Sequence, residues 1–382
     1  MDQEQDVLRL VLGEETVEKA EQAEKAGFKP TRRQLFRNAA IVGAAAGVPG
    51  FMAACASGAG ASGGQGNFPS HPGWKFAFIN HAYDNPFFQP TVYAIQDACA
   101  LLGLPTATFQ GAGNVNGNDQ VTPMLDKLNA AISAKVDGIA IALIDPTAFN
   151  EPVSRALAAG IPVVAYNADV PAGSPNRRMA YIGQDLFLSG QKLGARIAGL
   201  VKEGSIAGFI ATPGSLNIQP RIDGAKQAIQ ASGLPIEFSE IPTGKAVNDE
   251  LNAIEAYYLG HKDLKGMVAV DAGSTQGVAQ IMQKYGLASK GVHAGGYDLL
   301  TGTIQGISQG SLDFTIDQQP YAQGFFPVVQ LFLYKLSGGL SQPSDTNTGL
   351  VFVTKSNVGP YNSKTRFEGS SSKEQVVSPS SS

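Results

Sequence analysis

The chain has 382 residues, 43% of them apolar and 16% charged, which is enough for two to three domains with a sizeable buried core. A formal charge of -4 is far from the strongly basic balance of nucleic-acid-binding domains, so nucleic acid is not an expected partner. Two cysteines and four scattered histidines lack metal-ligand spacing, which excludes a disulfide framework and predicts neither a metal site nor a cofactor.

Residues 1–54 are predicted to be an export signal. After a polar, acid-rich start, Thr31-Arg32-Arg33-Gln34-Leu35-Phe36-Arg37 precedes a charge-free, Ala/Gly-rich stretch from Asn38 to Ala54. This layout indicates export, and the paired arginines resemble the twin-arginine signal. A transmembrane anchor is the alternative, but this stretch is short and weakly apolar compared with the roughly 20 residues of a spanning helix.

The sequence Met52-Ala53-Ala54-Cys55 and the Ala/Ser/Gly-rich stretch after it resemble a lipoprotein processing site followed by a flexible tether, residues 55–73. Cys55 would then be the first mature residue, with a diacylated thiol that holds the protein on the outer face of the cytoplasmic membrane. Met52 departs from the usual Leu, Val or Ile, so ordinary peptidase cleavage near the alanines is the alternative. Cys99 lies in an apolar helical pattern and is predicted to be buried.

From Trp74 onward, short apolar runs alternate with segments of helical periodicity. Strands are predicted at 76–79, 106–109, 138–143 and 162–166, with helices near 88–102, 119–134 and 147–159. The alternation resumes with strands near 206–211, 236–241, 267–271 and 292–297, and helices near 185–202, 218–232, 248–259 and 274–286. A β/α rhythm that runs twice predicts two lobes, each a doubly wound parallel sheet with helices on both faces. The serine-rich tail, 367–382, is predicted to be disordered.

No motif supports catalysis. Residues 60–64 spell a nucleophile elbow, but they lie in the low-complexity tether and not at a strand-to-helix turn. Gly111, Gly113 and Gly117 miss the spacing of a dinucleotide fingerprint, and the sequence has neither a Walker loop nor the placement of a catalytic triad. We therefore predict no catalytic residue and no enzyme.

Polar loops follow the predicted strands, and in open α/β sheets ligands bind outside the carboxyl ends of the strands. Residues 81–88 follow the first strand, and Asn167-Ala168-Asp169 follows the fourth. Asp271, Tyr297-Asp298 and residues 315–320 follow later strands.

Six segments in order resemble the periplasmic sugar-binding proteins of ABC importers, specifically the ribose- and galactose-binding group. They are Asn85-Pro86-Phe87-Phe88, Ile161-Pro162-Val163-Val164, Tyr181-Ile182-Gly183-Gln184-Asp185, Gln219-Pro220-Arg221-Ile222-Asp223-Gly224, Gly296-Tyr297-Asp298 and Thr315-Ile316-Asp317-Gln318. The resemblance covers nearly all of 74–366.

This resemblance implies a periplasmic-binding-protein-like α/β fold, with two lobes that close on a ligand and are joined by a three-crossing hinge. The crossings would lie near 181–184, 315–319 and 345–350. The N-terminal lobe would comprise 74–181 and 319–345, and the C-terminal lobe 182–318 and 346–366.

The resemblance also implies the ligand-binding residues. Aromatic faces would stack on the C–H surface of a sugar, amides and carboxyls would pair with its hydroxyls, and an arginine would donate in a fork. These residues are Asn85, Phe87, Phe88, Asn167, Asp169, Arg221, Asp271, Asp298 and Gln318. The group's Asp-Arg pair is replaced by Asn167-Ala168-Asp169, and Asp271 stands where asparagine is common. Both departures favour a hydroxyl-rich or basic ligand over an anionic one.

Each of these residues also has a purely structural interpretation. Either phenylalanine could belong to the core, Asn85 and Asp298 could cap turns or helices, and Arg221 could be solvated. Gln318 could satisfy backbone groups at the hinge, and Asn167, Asp169 and Asp271 could be turn residues.

The implied function is that of the extracytoplasmic, substrate-binding component of an ABC importer, a monomer that delivers a sugar-like small molecule to a membrane permease. A twin-arginine-exported oxidoreductase and a sensor or chemoreceptor for a small signal molecule remain the alternatives. The ligand could also be a nucleoside, a sugar alcohol or a cyclic signal molecule.

Overall fold

The computed structural model describes residues 69–113, 119–363, 365–369 and 371–372. The predicted export signal, Cys55, most of the tether and the tail from residue 373 lie outside these described residues. Strands and helices alternate through the described part, which confirms the predicted rhythm.

The first lobe is built on a six-stranded, wholly parallel sheet. Its strands are β1 (Phe76–Asn80), β2 (Thr108–Gly111), β3 (Gly138–Ile141), β4 (Val163–Tyr166), β5 (Tyr181–Gly183) and β11 (Thr346–Asn347). They lie in the order β11-β5-β4-β3-β1-β2. Its helices are α1 (Gln89–Leu101), α2 (Val121–Ser133), α3 (Asn150–Ala158) and α9 (Pro320–Leu336). Every residue of β1, β3 and β4 is buried because helices cover both faces of a parallel sheet.

The second lobe repeats this architecture on another six-stranded sheet. Its strands are β6 (Gly204–Ile210), β7 (Ile236–Pro242), β8 (Gly266–Ala269), β9 (His293–Tyr297), β10 (Phe314–Asp317) and β12 (Val351–Val353). The order is β12-β10-β9-β8-β6-β7, with β12 antiparallel to β10 and the other pairs parallel. Its helices are α4 (Leu186–Val201), α5 (Gln219–Ala231), α6 (Val247–Gly260), α7 (Ala272–Lys284) and α8 (Thr301–Gln309).

The chain passes between the two sheets three times, after β5, after β10 and after β11. This topology confirms the predicted fold class. The boundaries differ by a few residues from the predicted division, because β5 keeps the chain in the first sheet as far as Gly183 and β11 keeps residues 346–347 there.

Helices α4 and α5 pack closely because glycines line their contact. A Cβ added at Gly190 would lie 2.2 Å from the backbone oxygen of Arg221, and one at Gly194 would lie 2.4 Å from that of Ala225. Gly224 faces the opposite way, with 2.3 Å to the oxygen of Phe187. This close packing fixes the position of Arg221 at the start of α5.

Residues 359–363 and 365–369, which we call the C-terminal strap, lead from the second lobe to the first. Tyr361 packs against the core of the second lobe, and its hydroxyl donates to Asp317 Oδ2 at 3.2 Å. Arg366 then donates to both carboxylate oxygens of Asp97 in α1, at 2.9 and 2.6 Å, and its guanidinium lies 4.5 Å from the centre of the Tyr93 ring. The structure therefore differs from the predicted division, in which Arg366 belongs to the C-terminal lobe and the tail begins at residue 367.

Candidate functional site

The two lobes meet at the carboxyl ends of their sheets. The backbone N–H of Leu216 donates to the carbonyl of Ile144 at 3.0 Å, and Asn217 Nδ2 donates to His81 Nε2 at 3.1 Å. Both bonds join the first lobe to the second, so the structure is that of a closed cleft.

A network of buried amides and one carboxyl lies at this cleft. Gln318 Nε2 donates to Asp298 Oδ1 at 2.7 Å, and Gln323 Nε2 donates to Gln318 Oε1 at 3.2 Å. Asn167 Nδ2 donates to Gln323 Oε1 at 3.1 Å, and Thr348 Oγ1 donates to the carbonyl of Gln318 at 2.8 Å. The structure thus brings three predicted site residues together through Gln323, which the sequence analysis missed.

Arg221 is buried beside this network rather than solvated. Its Nη1 donates to the carbonyl of Val270 at 2.8 Å and its Nη2 to Gln184 Oε1 at 3.3 Å. The guanidinium also lies 4.1 Å from the centre of the Tyr297 ring, a cation–π distance. These contacts hold the fork in one orientation.

Two buried polar atoms in this region have no hydrogen-bond partner among the described residues. They are Asn167 Oδ1, an acceptor, and Arg221 Nε, a donor. Buried polar groups are normally hydrogen-bonded, so atoms of this kind at a cleft point to a polar ligand that supplies the partners.

The two phenylalanines occupy different environments. Phe88 is 2% exposed and belongs to the core of the first lobe, where its ring packs against His81 and Phe109. Phe87 is half-buried and lines a small cavity at the lobe junction together with Asp298. The structure therefore supports the core interpretation for Phe88 and leaves Phe87 at the cleft.

Asn85 and Asp271 both act as caps. Asn85 Oδ1 accepts from the backbone N–H of Phe87 at 2.9 Å. Asp271 Oδ1 accepts from the N–H of Ser274 at the start of α7, and its Oδ2 accepts from the N–H of Ala211, each at 2.9 Å. Both side chains also line a larger cavity between the lobes. Each residue can therefore cap a turn or helix and also face the ligand site.

Asp169 is paired with a guanidinium that the sequence analysis did not anticipate. Arg178 Nε donates to Asp169 Oδ1 at 2.6 Å, and its Nη2 donates to Oδ2. Asp169 thus forms an ion pair with an arginine nine residues later, and the adjacent Asp-Arg pair of the group remains absent from Asn167-Ala168-Asp169. The side-chain hydrogen bonds of Asp169 are with Arg178, and none of those described joins it to the Asn167–Gln318 network.

Burial at the site shifts the protonation of the Asp298 carboxyl. It is 4% exposed, and burial raises its pKa to about 7, although the nearby charge of Arg221 acts in the opposite direction. It does not cap α8, because Leu300 occupies that position. At neutral pH the group is poised between a hydroxyl donor and a carboxylate acceptor.

Glu250 and His81 are further buried polar residues that the sequence analysis did not assign to the site. Both line the larger inter-lobe cavity beside Asp271. His81 stands in the polar loop after β1, so its position in sequence was the only available signal. Glu250 lies in α6, and only the packing of α6 on α7 brings it to the cleft.

Within the described part of the chain, no group of three or more His, Cys, Asp or Glu side chains is placed to hold a metal ion. Among the same residues, no helix has the length and hydropathy of a membrane span.

A family model described as a periplasmic binding protein domain matches residues 76–338. The chain belongs to the periplasmic binding protein family. Proteins of this family are extracytoplasmic substrate-binding proteins and not enzymes, which confirms the predicted class and the coarse location.

Relatives agree with this assignment. The chain is 47% identical over 346 residues to the xylose/arabinose-binding protein XylF of Sulfolobus acidocaldarius, which covers 87% of this chain and 81% of that protein. A solute-binding protein of an ABC transporter from Burkholderia graminis, solved with D-arabinose, is similar at a TM-score of 0.69 and 25% identity, over 76% of this chain and 98% of that one. A carbohydrate transporter protein from Acidothermus cellulolyticus, solved with myo-inositol, is similar at a TM-score of 0.67 and 25% identity, over 78% of this chain and 100% of that one.

Proposed function

We propose that this chain is the substrate-binding component of an ABC importer and binds a neutral sugar of the xylose or arabinose type between its lobes. The observation that carries the proposal is the pair of unpartnered buried atoms at the cleft, Asn167 Oδ1 and Arg221 Nε. A sugar hydroxyl both donates and accepts, so neighbouring hydroxyls on one ring can satisfy an acceptor and a donor together.

The ligands of similar proteins support the same ligand class. The 47% identical relative is named for xylose and arabinose, and similar solved proteins hold D-arabinose, D-fucose or myo-inositol. All are uncharged polyols. The site suits them because the Arg178 guanidinium is paired with Asp169, while Arg221 bonds only neutral groups among the described residues, Val270 and Gln184, and keeps its Nε for a neutral acceptor.

Lobe closure is the mechanism of binding and delivery. Asn167 belongs to the first lobe and Arg221 to the second, so one ligand that contacts both stabilises the closed state by its higher affinity for that state. Contacts such as Leu216 with Ile144 complete closure at the rim. The permease then distinguishes the closed, loaded protein from the open one.

Isothermal titration calorimetry of the full chain with D-xylose and L-arabinose tests the ligand class. We expect saturable binding of at least one pentose and a loss of roughly tenfold to a hundredfold in affinity for Arg221→Lys, because lysine keeps the charge but lacks the fork and Nε. Arg196→Lys is the matched control, since Arg196 is exposed and lies over Phe352. Absence of binding to every neutral sugar, or an unchanged affinity in Arg221→Lys, would rule the site out.

We further propose that the twin-arginine-type segment exports the protein and that lipidation of Cys55 tethers it to the outer face of the membrane as a monomer. The sequence around Met52-Ala53-Ala54-Cys55 supports this proposal. Cell fractionation of the full chain should place it with the membrane and Cys55→Ala in the soluble exported fraction. A Cys55→Ala protein that stays membrane-bound would favour a transmembrane anchor.

A further inference from the structure

Helix α9 of the first lobe has an apolar solvent-facing side. Phe326 is 41% exposed and Leu333 is 40% exposed, and the partly exposed Val329 lies between them in sequence. With about 3.6 residues per turn, these three positions fall within about 60° of arc on one side of the helix. We call these three side chains the apolar stripe of α9. Leu340, just after the helix, is also exposed.

The absence of charge distinguishes α9 from an ordinary surface helix, whose solvent face carries polar and charged side chains. Helix α4 has exposed Lys192 and Arg196 on that face. In α9, Lys335 is the only charged residue among 17, and it lies in the last turn, 3.3 Å from Asp137 Oδ1. Apolar residues that are contiguous on a surface indicate an interaction site, whereas single ones do not.

The chain enters the first lobe beside this stripe. The His71 ring centre lies 4.8 Å from that of Phe332 in α9, and the Trp74 ring centre lies 5.6 Å from it. Lys335 Nζ lies 6.0 Å from the centre of the Trp74 ring. These contacts fasten the segment before β1 to the last turns of α9, next to Leu333.

This point of entry limits the distance between the stripe and a lipid anchor. Pro69, the first residue that the structure describes, follows Cys55 by 14 residues. A chain of that length spans at most about 50 Å when fully extended. An anchor at Cys55 would therefore hold the stripe at a roughly millimolar effective concentration of bilayer surface. Even a weak affinity for lipid is then enough to keep the face on the membrane.

The position of α9 suits contact with a bilayer surface and not a membrane span. Val328 and Leu331, on the opposite side of the helix, are fully buried in the core of the first lobe. The helix therefore stays on the lobe, and its exposed apolar side chains can enter the boundary between headgroups and acyl chains.

The same position keeps the ligand cleft clear of the membrane. Trp74 precedes β1 and Asp137 directly precedes β3, so the contacts of α9 with both residues lie at the amino ends of the strands. The lobes meet at the opposite, carboxyl ends.

We propose that the apolar stripe of α9 is a docking surface for a lipid bilayer, which rests the first lobe on the membrane that anchors Cys55. The proposal rests on the proposed lipid tether and not on the identity of the sugar. Because the stripe belongs to the first lobe alone, docking leaves the second lobe free to open and close.

Trp74, the only tryptophan in the sequence, reports this contact. The full chain, made by cell-free synthesis, is coupled through Cys55 to a maleimide lipid in phosphatidylcholine vesicles, and the buried Cys99 is protected from the reagent. With bromine atoms near the headgroup end of the acyl chains, we expect Trp74 to lose at least half of its fluorescence. Bromine atoms near the methyl end should quench less, because the stripe enters only the boundary region.

A double variant assigns the quenching to the stripe. Phe326→Ser with Leu333→Ser should weaken docking by about tenfold or more and remove most of the quenching, because most of the exposed apolar area is lost. Phe187→Ser with Leu259→Ser is the matched control, since these residues are 40% and 48% exposed on the second lobe. This control should be quenched like the wild type.

An unquenched wild type, or equal quenching in the stripe variant, would overturn the proposal, because the tether alone would then explain any proximity. A dimer in sedimentation velocity that only the stripe variant lacks would assign the face to a second copy of the chain and overturn it too. If the stripe variant does not fold, as judged by circular dichroism, wild-type quenching that is independent of bromine depth would overturn the proposal.

The lipid tether is decided separately. Coupling at Cys55 is chemical, so the quenching does not depend on lipidation in the cell. A negative result from the cell fractionation of Cys55→Ala would overturn the tether and leave the affinity of this face for lipid standing.

Discussion

Asn167 and Asp298 each combine a left-handed backbone with a side chain in the cleft network. Their φ angles are 61° and 71°, values that asparagine and aspartate adopt more readily than other non-glycine residues. The turn that ends β4 and the turn that ends β9 therefore favour the residue types that also hydrogen-bond at the site. At these positions a structural role in the turn and a role in ligand binding are compatible. The two roles are therefore not alternatives.

The buried carboxyl of Asp298 should make the free energy of unfolding depend on pH. Its folded-state pKa of about 7 exceeds the ordinary value of 3.8, so between these pH values the folded protein holds a proton that the unfolded chain has released. Stability contributed by this group is therefore complete below about pH 4 and falls as the pH rises to 7. Asp298→Asn removes this dependence and suits the left-handed backbone.

We expect ligand-free Asp298→Asn to match the wild type at pH 4 and to have a higher free energy of unfolding at pH 8, by as much as about 4 kcal/mol. Urea denaturation at pH 4, 6 and 8 measures the difference. If the difference in free energy of unfolding between the variant and the wild type stays the same from pH 4 to pH 8, Asp298 is ionised throughout this range.

The contact between helices α4 and α5 determines where the site residue Arg221 lies. Both helices were predicted from their periodicity, but the closeness of their contact depends on which glycines face each other. Gly190 lies against the backbone of Arg221, whereas Gly199 on the same helix is exposed and has no atom within 4 Å of an added Cβ.

This difference gives a matched pair of substitutions. Gly190→Ala should destabilise the protein by about 1–3 kcal/mol through overpacking and should weaken sugar binding, because it displaces the backbone that carries Arg221. Gly199→Ala should stabilise by up to about 1 kcal/mol through helix propensity and leave binding unchanged. Urea denaturation and calorimetry measure both effects, and equal stability of the two variants would contradict this account of the α4–α5 contact.

Some elements escaped prediction for a physical reason. Helix α8, with the sequence TGTIQGISQ, carries few apolar residues to mark a buried face. Strands β11 and β12 are two and three residues long, too short for a periodic pattern. The two short strands form because the neighbouring strands β5 and β10 offer edges to pair with.

At the scale of the whole molecule, the C-terminal strap joins the lobes beside the hinge. Arg366 is 3% exposed and bonds the equally buried Asp97, which also accepts from Tyr321 Oη at 2.8 Å. Glu368 lines the small cavity that contains Phe87 and Asp298. The strap thus connects the second lobe to α1 and reaches the edge of the ligand site.

Arg366→Ala tests the strap. Removing the guanidinium leaves the Asp97 carboxylate buried without its cation, so we expect a loss of about 3–5 kcal/mol in the free energy of unfolding. Small-angle scattering should show a larger radius of gyration for the ligand-free variant and a return to the wild-type value with saturating sugar. Arg155→Ala, which breaks an exposed pair with Glu151, should cost less than about 0.5 kcal/mol. A ligand-free variant as compact as the wild type would show that the strap does not limit opening.

The sequence by itself determined the two-lobe α/β architecture and the strand ends that carry Asn167, Asp271, Asp298 and Gln318, whereas the three crossings were implied by the resemblance. It could do so because apolar periodicity and turn chemistry are local properties, readable within ten to twenty residues. The short loop motifs that resemble a known family are local in the same sense.

Only the tertiary structure decided which side chains meet. Three contacts show this: the bond between Arg366 and Asp97, the amide of Gln323 beside Asn167, and the room that Gly273 makes for Glu250. Each joins residues that are distant in sequence and on different elements. Such contacts depend on how helices pack on the sheets and how the lobes close. The free energy of a buried polar group is set by the partners that packing brings to it, and local sequence carries no record of them.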